Sequence, residues 1–114
     1  MTEPRARLFV DVDGTLNRWL PPRAGVVVTE FEPNEDVIAF VRDWHARHPG
    51  GDVVVWSNSG TAWAREHAAR CLPDVPYRVV PKEPVRPGPG DLFLDDAPYP
   101  SFAAKTIDPG DIRA

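Results

Sequence analysis

The chain has 114 residues, of which 42% are hydrophobic and 26% charged; this is the make-up of one ordinary globular domain spanning residues 1–114, not of a disordered segment. Thirteen Lys and Arg against seventeen Asp and Glu leave a net charge of −4, which excludes the broad basic footprint of a general nucleic-acid binder. One cysteine, Cys71, excludes an internal disulfide framework and a Cys-rich zinc site. That usage suits the cytoplasm, as do the lack of a ~20-residue apolar run and of a secretory-signal pattern at the first residues.

The first apolar segment, Leu8-Phe9-Val10, runs into Asp11-Val12-Asp13-Gly14-Thr15 and predicts a short buried strand ended by a glycine turn. Residues 16–33 carry Pro21-Pro22, Gly25 and the β-branched run Val26-Val27-Val28-Thr29, which predicts a projecting hairpin or loop. Asn34 is placed to cap a helix whose first turn holds Glu35 and Asp36; Val37, Ile38, Val41 and Trp44 form its apolar stripe, and Pro49-Gly50-Gly51 stops it. Val53 to Trp56 is a second strand, buried on both faces because its polarity does not alternate. Ser57 to Thr61 then turns and caps an Ala-rich helix from Ala62 to Leu72. Tyr77 to Val80 is a third short strand, and residues 81–90, with four prolines and two glycines, form a loop. Leu92-Phe93-Leu94 is a fourth strand, ending at Asp95-Asp96, and Lys105-Thr106-Ile107 a fifth. Alternating strands and helices predict an α/β fold with a mainly parallel sheet and right-handed crossovers.

In such a sheet the carboxyl ends of the strands lie along one edge, where ligands bind. Asp11 and Asp13, Ser57, Lys82, and Asp95 with Asp96 each follow one of the first four strands. One Asp or Ser after a strand is ordinarily a turn or cap residue; the coincidence at four strand ends points to a site. Clustered carboxylates repel, and a hard cation such as Mg²⁺ relieves them through oxygen ligands. Lys82 is one of two lysines in a chain that otherwise uses arginine, which suits a compact ammonium facing phosphoryl or carboxylate oxygens. No Gly-x-Ser-x-Gly elbow or Gly-x-x-x-x-Gly-Lys loop is present. His45, His48 and His67 lack zinc-ligand spacing, and Cys71 is expected to be an apolar filler.

Phe9-Val10-Asp11-Val12-Asp13-Gly14-Thr15-Leu16 resembles the first motif of the haloacid dehalogenase-like phosphohydrolases. Val53 to Ser57 is similar to their second motif, Lys82 stands where the third motif's lysine would, and Leu94-Asp95-Asp96 resembles the fourth. The resemblance implies a three-layer Rossmann-like sheet of about five strands flanked by helices. It implies Asp11 as the nucleophile forming an aspartyl-phosphate, Asp13 as general acid and base, and Ser57 and Lys82 as holders of phosphoryl oxygens. Thr15 would fix the Asp13 loop and, with Asn58, stand among the phosphate-contacting residues. Mg²⁺ would be held by an Asp11 carboxylate oxygen, the Asp13 backbone carbonyl and the fourth motif, with Asp96 as the direct ligand and Asp95 orienting Lys82 or a metal-bound water.

Many relatives insert a cap domain after the first motif or between the second and third. Here 44 positions separate Asp13 from Ser57 and 25 separate Ser57 from Lys82, and the predicted elements fill both intervals. The resemblance is to capless relatives that include nucleic-acid end-healing and phosphoprotein phosphatases. An uncapped site therefore implies a macromolecular or nucleotide phosphate as substrate, such as a nucleic-acid 3′-phosphate end or a phosphoprotein, or a partner chain that covers the opening. Arg18 and Arg23 in the hairpin, with Arg86 in the Pro-rich loop, are placed to form a basic rim, and Trp19 to stack on a base or pack at the hairpin foot. Two other classes compete. A phospho-accepting receiver domain would place its acidic pair first and its phosphorylated Asp mid-chain, the reverse of this order. A binding or scaffold protein that lost turnover is opposed by the presence of both Asp11 and Asp13.

Overall fold

The computed structural model describes residues 6–17, 33–83, 85, 88, 90–95, 105–107 and 112. The elements are β1 (Arg7–Asp11), α1 (Glu35–Arg47), β2 (Asp52–Trp56), α2 (Thr61–Cys71), β3 (Arg78–Val79), β4 (Leu92–Leu94) and β5 (Lys105–Ile107). All described strand pairs are parallel, in the order β3-β2-β1-β4-β5. The chain steps outward from β1 through β2 to β3, then returns to lay β4 on the other flank of β1. The switch point of the sheet therefore lies between the carboxyl ends of β1 and β4, where an open α/β sheet forms its crevice.

Local chemistry sets the helix limits. Asn34 Oδ1 accepts the Val37 N–H at 3.4 Å, and α1 ends at Arg47, just ahead of Pro49 and Gly50. α2 departs from the expected cap. Its N-cap is Gly60, at φ 103°, with no side-chain hydrogen bond; a left-handed backbone suits glycine, and the nearby serine hydroxyls are used elsewhere. β3 is also shorter than the expected Tyr77–Val80. Val80 still donates its N–H to the Val55 carbonyl at 3.2 Å, but Pro81 has no N–H to continue the ladder.

Among the described residues the sheet carries one helical layer, compatible with a Rossmann-like fold. Alternate strand residues Leu8, Val10, Val53, Val55 and Leu94 share one core with Val37, Ile38, Val41 and Trp44 of α1 and Ala64, Ala68 and Cys71 of α2. Both described helices thus cover the same face. The opposite face holds Phe9, Val54, Trp56 and Phe93, closed among the described residues by Val80 and Val85 of the Pro-rich connection. Among the described residues, aromatic bulk from the sheet itself makes up most of that layer. Phe9 sits 4.7 Å from both Trp56 and Phe93, ring centre to ring centre; a buried ring of this kind is worth about 3–5 kcal/mol.

At the amino ends of the strands, Asp91 is buried and bound by Arg7. The closest contact, Arg7 Nη2 to Asp91 Oδ2, is 2.6 Å, and the Arg7 and Gly88 backbone N–H groups add 3.1 and 2.7 Å bonds. This clamp ties β1 to the segment entering β4 at the end opposite the candidate site. Asn17 pairs with Pro33 across the base of the expected hairpin. The hairpin itself, residues 18–32 with Arg18, Trp19 and Arg23, lies outside the described residues, as do Arg86 and Asp96.

Candidate active site

Beyond Asp11 the chain makes a tight turn. Thr15 and Asn17 donate their N–H groups to the Val12 carbonyl at 3.1 and 2.9 Å, and Gly14 N–H reaches the Asn17 carbonyl at 2.8 Å. Gly14 lies at φ 80°, which only glycine adopts without steric penalty. Val12 and Leu16 are fully buried anchors, so the turn is pinned to the core while Asp11 and Asp13 face the crevice edge.

Asp11 is 5% exposed. Its Oδ1 accepts from Lys82 Nζ at 3.0 Å and its Oδ2 from the Thr15 hydroxyl at 3.3 Å. Asp95, also buried, accepts from the same ammonium at 2.8 Å. Lys82 leaves the coil after β3 and passes the Trp56 ring, 5.8 Å from its centroid. It thus crosses the end of β2 to lie between the carboxylates that end β1 and follow β4. Burial pulls the Lys82 pKa down, but the hydrogen bonds and charges of Asp95 and Asp11 outweigh it and hold the pKa above the ordinary lysine value. The ammonium is therefore charged at every physiological pH.

Asp13 has a different environment. Trp63 Nε1–H donates to Oδ1 at 3.1 Å, and Oδ2 accepts from the Ser59 hydroxyl at 3.1 Å and the Ser57 hydroxyl at 3.5 Å. Ser57 is buried and accepts the Ser59 N–H at 3.0 Å, and Asn58 is exposed in the same turn. These contacts explain the bare N-cap of α2: the hydroxyls suited to capping hold Asp13.

The structure therefore brings Asp11, Asp13, Ser57, Lys82 and Asp95 to one edge. Thr15 is fully buried, its N–H bonds the Val12 carbonyl within the turn and its hydroxyl is turned onto Asp11, so it supports that carboxylate. Asp95 is engaged with Lys82, the orienting role among those weighed for it. Sequence reasoning missed Ser59 and Trp63. Trp63 is the third residue of α2, and helical side chains lean toward the amino end, the signal that could have aimed its indole at the preceding turn.

His67 Nδ1 and His48 Nδ1 each lie 2.8 Å from the carbonyl four residues earlier, so each ring nitrogen donates locally. Among the described residues no group of three or more His, Cys, Asp or Glu is arranged around a common metal position. Comparison with protein-family models, curated proteins and solved structures gives no match to this chain.

Proposed function

We propose that the chain is a capless, Mg²⁺-dependent phosphomonoester hydrolase of the haloacid dehalogenase-like type, working through an aspartyl-phosphate on Asp11. The observation that carries this reading is the buried Asp11 carboxylate at the sheet's switch point, held by Lys82 and Thr15, with Asp13 two residues away on a separate set of donors. A buried ion pair is seldom worth more to stability than well-packed apolar side chains. Burying Lys82 between two carboxylates is better accounted for by chemistry, since catalytic sites are where such charges collect.

In the first step an Asp11 oxygen attacks phosphorus as the ester P–O bond breaks, and protonated Asp13 gives its proton to the departing oxygen, which leaves as a neutral alcohol. In the second, the Asp13 carboxylate takes a proton from water. The water oxygen attacks the phosphoryl group, and the Asp11–phosphorus bond breaks to release phosphate. Lys82 and Ser57 hold phosphoryl oxygens, and the amino end of α2, which has no acidic residue in its first turn, adds a favourable field. Mg²⁺ suits the chemistry of the donors: among the described residues two carboxylates, Asp11 and Asp95, share the Lys82 ammonium, and carboxylates are hard oxygen donors. An Asp11 carboxylate oxygen, the Asp13 backbone carbonyl and Asp96 would hold the ion, which would supply charge neutralisation for the incoming phosphate.

The fold proposed is the three-layer type in which residues 18–32 form a flap. The substrate proposed is a macromolecular or nucleotide phosphate, such as a nucleic-acid 3′ end, because the 25 positions between Ser57 and Lys82 are filled by α2 and β3 and leave no room for a cap. The test is phosphate release from aryl phosphates, nucleotides, 3′- and 5′-phosphorylated oligonucleotides, phosphopeptides and sugar phosphates, with and without Mg²⁺. Release from none of them would end the reading.

A further inference from the structure

Trp63 is the one large hydrophobic side chain among the described residues that stands exposed, at 38%. It is nevertheless fixed. Its ring lies against His67, with centroids 4.0 Å apart, and the buried His67 ring bonds the Trp63 carbonyl through Nδ1 at 2.8 Å. A carbonyl only accepts, so that nitrogen carries hydrogen. The histidine braces the indole from one turn below, and the indole N–H meets Asp13 Oδ1 at 3.1 Å.

The donors on the two Asp13 oxygens are chemically unequal. An indole N–H can only donate, whereas a hydroxyl donates or accepts by rotating. When Asp13 is ionised, Trp63, Ser57 and Ser59 all donate to it. When Asp13 is protonated, Oδ1 must remain an acceptor for Trp63. The proton then belongs on Oδ2, where the Ser57 and Ser59 hydroxyls can turn to accept.

We propose that Trp63 is a positioning residue for Asp13: its donor-only N–H occupies Oδ1 and assigns Oδ2 as the oxygen that carries the transferable proton. This rests on the phosphatase reading above. Oδ2 faces Ser57, the residue expected to hold the phosphoryl group, so the proton is kept on the substrate side of the carboxyl. Without Trp63 the carboxyl can rotate, and either oxygen can carry the proton.

The test is the dependence of turnover on the leaving group. Wild type and Trp63→Phe, which keeps a ring on His67 but lacks the donor, are compared on a series of aryl and alkyl phosphates, with thermal unfolding checking that both are folded. A poor leaving group needs its proton and a good one does not, so Trp63→Phe should lower kcat about tenfold on an alkyl phosphate and less than about twofold on a nitrophenyl phosphate, with KM little changed. In an Asp13→Asn background Trp63→Phe should add almost no further loss, because its effect passes through Asp13. A loss equal across all leaving groups, no loss, or a loss that multiplies with that of Asp13→Asn would overturn the assignment while leaving the phosphatase reading standing. A folded wild type inactive on the whole series would overturn the phosphatase reading and this assignment with it.

Discussion

Replacing Lys82 by Met removes the ammonium shared by two buried carboxylates while keeping most of the side chain's volume. The side chains of Lys82, Asp11 and Asp95 are 7%, 7% and 1% exposed, so water cannot replace the lost ammonium. Breaking a buried pair in this way costs about 3–5 kcal/mol, a large part of the about 5–15 kcal/mol that holds a domain together. With a urea dependence of about 2 kcal/mol per molar, the unfolding midpoint should fall by about 2 M. The exposed pair of Arg42 and Asp74, with side chains 47% and 60% exposed, is the internal comparison, and Arg42→Met should cost less than about 1 kcal/mol.

The sign of the pH dependence is fixed too. The Lys82 pKa is raised in the fold from its ordinary 10.5. The stability it contributes is therefore fully present below pH 10.5 and is lost as pH rises through the folded value. The gap between wild type and Lys82→Met should be level from pH 7 to about 10 and close only at higher pH. Urea titrations monitored by tryptophan fluorescence across this range measure it. A loss below about 1 kcal/mol, or a gap that closes near neutrality, would refute the buried triad as the cause.

Chelation should abolish phosphate release and Mg²⁺ restore it. Asp96→Asn should raise the Mg²⁺ needed in a titration, whereas Asp95→Asn should chiefly loosen Lys82 and show as a lower unfolding midpoint. Burial, with the charge of Glu35 and against that of Arg70, pushes the Cys71 thiol up to about 11, so a thiol reagent at pH 8 should label the native protein far more slowly than the urea-unfolded chain. Replacing Arg18 and Arg23 by Ala should weaken turnover of a phosphorylated oligonucleotide and flatten its salt dependence, while an aryl phosphate is turned over as before.

The sequence was most legible where one residue type has one local use. Asn34 and Pro49 bracket α1 because a cap oxygen and a missing N–H act within a few residues. The runs at Phe9, Val54 and Phe93 mark strands, and parallel pairing then puts Asp11, Ser57, Lys82 and Asp95 at one edge whatever the loop details. Layering was not legible in the same way. A strand buried on both faces is apolar at every position, so Leu8 and Phe9 look equally interior although one meets helices and the other aromatic rings. Long-range polar partners were hidden too. Arg7 and Asp91 stand 84 positions apart, and nothing local to either announces the other.

Within the site, residue identity was legible and orientation was not. Ser57 to Thr61 contains good capping residues, yet the hydroxyls of Ser57 and Ser59 turn to Asp13, and Gly60 takes the cap position. That choice depends on where a carboxylate 44 positions earlier lands. Thr15 shows the same limit at short range: its place in the turn was foreseen, but its hydroxyl serves Asp11, four residues back.

The most direct test is to find the covalent intermediate on Asp11. Wild type and Asp11→Asn would be mixed with an aryl phosphate and Mg²⁺, quenched in acid within the first turnovers, digested and read by mass spectrometry, with phosphate release followed in parallel. The proposed mechanism predicts one phosphoryl group on the wild-type peptide containing Asp11, and at least a thousandfold slower release by Asp11→Asn, about 4 kcal/mol of transition-state stabilisation. A phosphoryl group on another residue, or near-native turnover by a clean preparation of Asp11→Asn, would contradict it.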